Sequence, residues 1–417
     1  MRRLARDPLS GALPLIMSSQ VHKPTQVVVT HALRTPIGRF MGSFSELSAA
    51  DMGTSVVRDL MLRSGFDAER VGEVYFGNGR QAGGGPNPAR QVSVRSGIPE
   101  SVPATTINMA CASGLKSIAL AADAIRLGRY RAAVVGGTES MSGLPFMLPK
   151  MRRGYRLGHA PLIDGMYQDG FMCPLADMLM GETAEVLAKE IGITREEQDA
   201  FALSSQNKAQ AAIESGRFAD EISPVEVKQR KQTLVVDADE HPRANSTMAG
   251  LAKLPAVFDS EAGSVTAGNA SGITDGAAAL LIMDRALAEE SGYEILAVLG
   301  DTCQAGVDPR RMGIGPVPAV RALQECNGVA PQDYDLIELN EAFAAQVIAC
   351  DRELDLPAER LNVNGGSIAL GHPIGATGAR IVVTMLHELK RRGGKHALAT
   401  LCVSGGMGIA TAFHRED

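Results

Sequence analysis

The chain has 417 residues, 45% hydrophobic and 21% charged, which is the composition of a globular enzyme with a sizeable core. Lys plus Arg number 41 against 47 Asp plus Glu, a net charge of −6, and aromatics are only 4% with no Trp. That acidic balance and the scarcity of stacking surfaces exclude a typical nucleic-acid binder. No apolar run approaches the roughly 18 residues that mark a membrane span.

A length of 417 residues suggests two or three domains. Residues 1–23 carry Arg2, Arg3 and Arg6 before the short, Pro-broken stretch GALPLIM. They read as a disordered extension or, with Met17 as the true start, as an upstream addition; a targeting peptide is the alternative. From there strand and helix signals alternate: strands at 25–32, 74–78, 105–110 and 132–137, and helices at 48–65, from Asn87-Pro88, and at 113–127. Such alternation predicts an α/β fold with helices on the faces of its sheet.

Between 141 and 271 the texture changes to Met, Pro, Gly and charge, with helices predicted at 181–191 and from Thr194. The latter opens on T-R-E-E, a capping box. This segment reads as an inserted lobe. Strand candidates then resume at 277–283, 294–300, 335–340 and 396–403. Residues 106–137 faintly resemble 361–406, each running strand, Gly-rich turn, helix, then an apolar strand into Gly-Gly. Two copies of one α/β unit would place a site between them, where strand ends and helix N-termini converge.

The six cysteines, Cys111, Cys173, Cys303, Cys326, Cys350 and Cys402, are scattered without C-x-x-C spacing. They read as reduced thiols of a cytoplasmic protein, and no metal site is expected. Cys111 lies in N-M-A-C-A-S-G, on a turn entering a helix, where the dipole and free amides are expected to lower its pKa. His372 sits between Gly371 and Pro373 at the start of another helix, where a fixed imidazole can serve as acid, base or hydrogen-bond donor. Cys402 precedes Val403-Ser404-Gly405-Gly406 at a strand end. Asn340, in Asn340-Glu341-Ala342-Phe343, marks a strand-to-helix junction and on its own would read as a helix cap.

Together these clusters, with Arg34-Thr35-Pro36-Ile37-Gly38, G-G-T-E-S-M-S from Gly136 and V-T-A-G-N-A-S-G from Val265, closely resemble the thiolase family from about Thr25 to His414. The resemblance implies two duplicated thiolase-fold halves in five α-β-α-β-α layers, with an inserted loop domain. The N-terminal half would comprise 24–140 and 272–293, the CoA-binding insertion 141–271, and the C-terminal half 294–417. It further implies an acyl-accepting nucleophile at Cys111, its activator at His372, a Cα acid/base at Cys402 and a water-holding Asn340. Backbone amides of Cys111 and Ser404 would form an oxyanion hole. Met180, Arg230, Phe258, Ser271, Ala342 and Phe343 would contact coenzyme A or the acyl group.

The implied partners are acyl-CoA and CoA, bound as substrates with no permanent cofactor. A homodimer or homotetramer follows from the same resemblance, with room for a β-oxidation multienzyme partner. Two departures from the family pattern stand out. Leu179 replaces the histidine of the acetyl-specific His-Met-Gly, which leaves space for longer chains. Ser404 replaces a glycine, and a positive φ there would strain it. A decarboxylating β-ketoacyl synthase would instead carry a second histidine in His-Gly-Thr-Gly, which is missing here. A non-catalytic scaffold would be expected to lack one of the four reactive residues, and a nucleotide binder would need a Walker lysine or a Rossmann acid.

Overall fold

The computed structural model describes residues 25–416, so the extension read over 1–23 lies outside the described residues. The first half contains β1 (Val27–Arg34), α1 (Ala49–Ser64), β2 (Glu73–Gly77), α2 (Pro88–Arg95), β3 (Ala104–Ile107), α3 (Ser113–Arg126) and β4 (Ala132–Glu139). Helices α4 (Met180–Ile191) and α5 (Arg195–Glu214) follow, then β5 (Thr274–Asp284) and β6 (Ala297–Gly306). The chain closes with α6 (Pro316–Asn327), β7 (Leu336–Leu339), α7 (Ala344–Leu354), α8 (Ile374–Arg392), β8 (His396–Val403) and β9 (Met407–His414).

The strands run in the order β7-β8-β9-β6-β1-β5-β4-β2-β3, and the pairing repeats itself. On one side, β3, β2 and β4 are parallel, and β5 and β1 follow antiparallel. On the other, Leu361 bridges in parallel to β7, which is parallel to β8, and β9 and β6 follow antiparallel. The halves meet where β1 and β6 pair antiparallel at Val28–Val298 and Val29–Ala297. Helices α1 and α2 cover one sheet through Val56, Leu60 and Val92, and α6 and α7 cover the other through Val317, Leu323 and Val347. Between the sheets lie α3 and α8, packing Leu115, Ile118, Ile381 and Met385 against Val135, Leu280 and Leu401. Helix, sheet, helix pair, sheet and helix make the five layers.

Local chemistry accounts for the boundaries. Asn87 caps α2 from its side chain with Pro88 at the first helical position. Thr194 and Glu197 satisfy each other's amides at 3.1 and 2.7 Å, the expected capping box of α5. The strand read over 105–110 stops at Ile107, because Asn108 Oδ1 turns back to accept from the Ala110 amide at 3.0 Å. Strand β6 begins three residues later than expected and runs on to Gly306, carried by its pairing with β9. Strand β9 itself was not anticipated: Gly408, Ala410 and Ala412 look like loop residues, yet they pair throughout.

Helix α8 is buried on every side over its first three turns, as a helix between two sheets must be. It crosses α3 backbone to backbone. A Cβ on Gly114 would come within 2.6 Å of the Ala379 nitrogen, and one on Gly378 within 2.4 Å of the Leu115 nitrogen. Any larger residue would wedge the crossing apart. That contact brings the N-termini of the two central helices, and hence Cys111 and His372, to one place.

Candidate active site

Cys111 stands in a short 3-10 turn between β3 and α3. The turn is held by Ser113, whose Oγ accepts from the Met109 amide at 2.9 Å and donates to the Ala110 carbonyl at 2.7 Å. Ala110 takes a φ of 45°, the left-handed region that a residue with a Cβ seldom enters. Cys111 is half-buried on the wall of a cavity of about 530 Å³. Burial pushes its thiol above the ordinary range and Glu139 adds to this, while Arg80 and the Ser404 amide act the other way. The depressed pKa expected from the helix start is therefore corrected: loss of water around the sulfur outweighs the nearby positive charge.

His372 lines the same cavity. Its Nδ1 lies 2.7 Å from Thr377 Oγ1, and that hydroxyl spends its one proton on the Pro373 carbonyl at 2.9 Å. Thr377 must therefore accept, so Nδ1 carries the hydrogen and Nε2 keeps its lone pair. Nε2 is buried and has no protein partner. Burial, reinforced by Arg380 and Arg80, lowers the imidazole pKa to about 3. The ring is neutral at physiological pH.

Asn340 leaves the end of β7 fully buried. Its Oδ1 accepts from Ser367 Oγ at 2.6 Å, and Ser367 in turn accepts from Arg380 Nη2 at 2.9 Å. The amide is thus fixed with Nδ2 free, buried and unpartnered. Its neighbour Glu341 is structural, accepting from Ser205 at 2.6 Å, Asn362 at 3.0 Å and the Ile368 amide at 3.1 Å.

Cys402, at the end of β8, is buried against Met312, Ala342, Met180 and Phe343. Burial raises its thiol well above the ordinary value, and the charge of Cys111 raises it further. Ser404 also lines the cavity. It has no positive φ; Gly405 at 89° and Gly406 at 84° take the left-handed positions, so the strain expected at the serine is absent.

Of the residues predicted to contact the substrate, Met180, Phe258, Ser271, Ala342 and Phe343 line the cavity. Phe258 reaches it by lying against the start of α4, where a Cβ on Gly181 would sit 1.9 Å from the ring. Arg230 does not join them. It is exposed at the tip of the hairpin formed by Val225–Lys228 and Thr233–Val236, outside the cavity wall. The basic run at Lys150, Arg152, Arg153 and Arg156 also lies outside the wall, which instead has Arg39 and Arg243, both exposed.

Other residues, one on the wall and the rest behind it, escaped the sequence reading. Arg80 is buried beside Cys111, donates to the Gly170 carbonyl at 2.8 Å and leaves Nε unpartnered. Glu139, at the end of β4, accepts from Asn78 Nδ2 at 2.7 Å and from the amides of Gly79 at 3.0 Å, Arg80 at 3.0 Å and Gly375 at 2.8 Å. Burial still raises its pKa to about 7. The available signal was positional, since both follow a predicted strand at the end where Cys111 emerges. Ser367 and Thr377 flank the Gly-His-Pro turn and gave no signal of their own.

Two α/β units meeting at one cavity walled by Cys111 and His372, with the thiol of Cys402 buried behind Met180, Met312, Ala342 and Phe343 of that wall, define the thiolase-fold class of acyltransferase. Residues 27–286 match the family described as thiolase, N-terminal domain, and 293–415 match thiolase, C-terminal domain. The chain is 52% identical to an acetyl-CoA acetyltransferase of Pseudomonas aeruginosa, over 94% of this chain and 99% of the relative. It is 51% identical to one of Escherichia coli K12, over 93% and 98%. The crystal structure of the Bacillus anthracis acetyl-CoA acetyltransferase superposes with a TM-score of 0.92 at 44% identity, covering 94% of this chain and 98% of that one. Human mitochondrial 3-ketoacyl-CoA thiolase in complex with CoA gives 0.90 at 39% identity, over 94% and 98%. The chain belongs to the thiolase family and is an acyltransferase.

Proposed function

We propose that the chain catalyses reversible, ping-pong Claisen condensation and thiolysis, joining acyl-CoA and acetyl-CoA into 3-ketoacyl-CoA and CoA through an acyl group carried on Cys111. Acetyl transfer is the favoured reaction, with a broader 3-ketoacyl range close behind it. The observation that carries this reading is the pair of thiols at one cavity, Cys111 on its wall and Cys402 buried behind Met180, Met312, Ala342 and Phe343 of the same wall. His372, neutral and with Nε2 free, lines the same wall as Cys111.

Cys111 and His372 rest as thiol and imidazole. As Cys111 attacks the thioester, its proton passes to Nε2 and the sulfur–acyl bond to CoA breaks. The product is itself a thioester, so the two half-reactions are nearly balanced. Cys402 gives its proton to the departing CoA sulfur and is left as a thiolate. A thiolate of raised pKa is a strong base, which is what a weakly acidic Cα–H demands. It takes the Cα proton of acetyl-CoA, and the carbanion attacks the acyl carbon on Cys111, breaking the acyl–sulfur bond; the Cys111 thiolate so released takes its proton back from His372 Nε2. Nε2 of His372 and a water on Asn340 Nδ2 face the enolate oxygen, and the amides of Cys111 and Ser404 face the acyl oxygen. Each such donor contributes about 3–4 kcal/mol.

Coenzyme A would lie along Met180, Phe258 and Ser271 in the insertion 141–271, with Arg39 and Arg243 available to its phosphates and Ala342 and Phe343 against the acyl end. Arg230 would contribute only from the rim. A homodimer or homotetramer is supported by exposed apolar side chains crowded into one stretch, Phe146, Met151, Leu157, Leu162, Tyr167 and Leu175. A light-scattering mass of two or four chains tests it, and a larger assembly with β-oxidation enzymes would appear in the same measurement. Among the described residues no helix is long and apolar enough to cross a membrane, and the reduced thiols favour the cytoplasm.

The deciding experiment is CoA-dependent thiolysis of 3-ketoacyl-CoA substrates of increasing chain length. Turnover peaking at C4 makes this an acetoacetyl-CoA thiolase, and a peak at longer chains makes it a broader 3-ketoacyl-CoA thiolase. No turnover at any length overturns the proposal.

A further inference from the structure

Two of the cysteines that the reaction does not use, Cys303 and Cys326, lie outside the cavity wall and against each other. Cys303 projects from the middle of β6 and packs with Val317, Val320 and Leu323 under α6. Cys326 lies in the last turn of α6 and is exposed. Their sulfurs are 3.5 Å apart, with Cys303 donating its S–H to Cys326. Of the other four cysteines, Cys173, Cys350 and Cys402 are buried and Cys111 lines the cavity.

We propose that Cys303 and Cys326 are an oxidative modification site, closing to a reversible intramolecular disulfide when the protein meets a peroxide. A disulfide needs its sulfurs about 2.05 Å apart, so the pair must close by roughly 1.5 Å. Cys303 is pinned by the β6–β9 ladder at Ala410. Cys326 can move, because α6 ends one residue later and the chain turns left-handed at Gly328. The two thiols also have unequal roles. Burial, the contact with Cys326 and the nearby Asp301 and Glu325 raise Cys303 to about 11, which keeps it a protonated donor. Cys326 is the accessible sulfur that a peroxide reaches first.

The Cys326 thiolate attacks one peroxide oxygen, breaking the O–O bond and releasing hydroxide, and becomes a sulfenic acid. Cys303 sulfur then attacks Cys326 sulfur, and its proton leaves with the expelled hydroxide as water. Two electrons pass from the thiols to the peroxide. The product staples β6 to α6 across the segment that carries Met312 of the cavity wall. The same segment supports the loop after Cys402, since the Val307 amide donates to the Gly406 carbonyl at 2.8 Å.

The test treats the full-length protein, and a C111S variant that removes the competing cavity thiol, with stoichiometric hydrogen peroxide. Alkylation, digestion and mass spectrometry follow. The expected result is a loss of about 2 Da and a linked peptide pair containing Cys303 and Cys326, reversed by dithiothreitol and missing from C326S. In C303S, dimedone should trap the Cys326 sulfenic acid. The oxidised protein should melt roughly 5 °C higher than the reduced one, as a loop-closing disulfide predicts. Full alkylation of both cysteines after peroxide overturns the proposal. So does Cys326 sulfinic acid or an intermolecular disulfide without the linked peptides. None of these readouts depends on turnover, so the site can fail while the thiolase reading stands.

Discussion

The ends of β4 and β8 occupy equivalent places in the two halves and are used in opposite ways. At the end of β4, Glu139 is saturated, taking Asn78 Nδ2 and three backbone amides, one of them from Gly375 at the head of α8. At the end of β8 stands Cys402; Asn340 Nδ2, at the end of the neighbouring β7, and His372 Nε2, before α8, are buried with no protein partner. Leaving such a group unpaired costs about 1–3 kcal/mol. The first strand end therefore locks the junction of the central helices, while the second keeps company with unpartnered polar atoms. Architecture was duplicated, and satisfaction of hydrogen bonds was not.

The sharpest break of that contrast separates the two thiols. Cys111→Ala should abolish acyl-enzyme formation and turnover together, by a factor of about 10⁴ or more. Cys402→Ala should retain much of the acyl-enzyme, seen by mass spectrometry after acetyl-CoA, while condensation falls by a similar factor. Equal loss of both steps in Cys402→Ala would remove the division of labour.

Stability against pH should expose the same opposition. His372 titrates at about 3 folded and near 6.5 unfolded, so acid favours the unfolded chain; stability falls as pH drops from 6.5 toward 3. Glu139 titrates at about 7 folded and near 4.5 unfolded, so its contribution runs the other way, and stability falls as pH rises from 4.5 to 7. Each slope is at most about 1.4 kcal/mol per pH unit. Urea midpoints between pH 4 and 8 should show H372N losing the acid-side fall and E139Q losing the neutral-side fall. Parallel profiles for wild type and both variants would refute the opposition.

Ser367 offers a smaller lever. Its hydroxyl donates to Asn340 Oδ1 and accepts from Arg380 Nη2. Ser367→Ala should free the Asn340 amide to rotate, lowering kcat about tenfold with little change in KM, and Ser367→Thr should restore part of it. A change in KM alone would mean that Ser367 only shapes the cavity.

How far the sequence disclosed this site follows the same division. Cys111, His372 and Cys402 were legible as candidates because each interrupts a run of small residues at a strand or helix end, and the repeat between 106–137 and 361–406 pointed to the cavity that Cys111 and His372 share. Glu139 and Ser367 were not, because their importance lies in partners 236 and 27 positions away that only the tertiary fold brings near. The sign of the Cys111 shift was misread for the same reason. A helix start is visible locally, whereas the burial that overrides it is set by the opposing half and the insertion.

Leu179 carries the smallest effect and the most specific question. It lines the cavity at the head of α4, with its amide held by Glu182 Oε2 at 2.5 Å, so its side chain is free to vary without loosening the helix. Leucine gives an apolar wall that favours added methylenes, whereas histidine would shorten the pocket with a polar ring. One methylene in an apolar pocket is worth about 1–3 kcal/mol at most, and a partly open wall falls at the low end. Leu179→His should therefore shift kcat/KM toward the C4 substrate by a few-fold relative to C6, with acyl-enzyme formation from acetyl-CoA unchanged. If the C6 to C4 ratio does not move, chain length is decided elsewhere on the wall, at Met312 or Phe343.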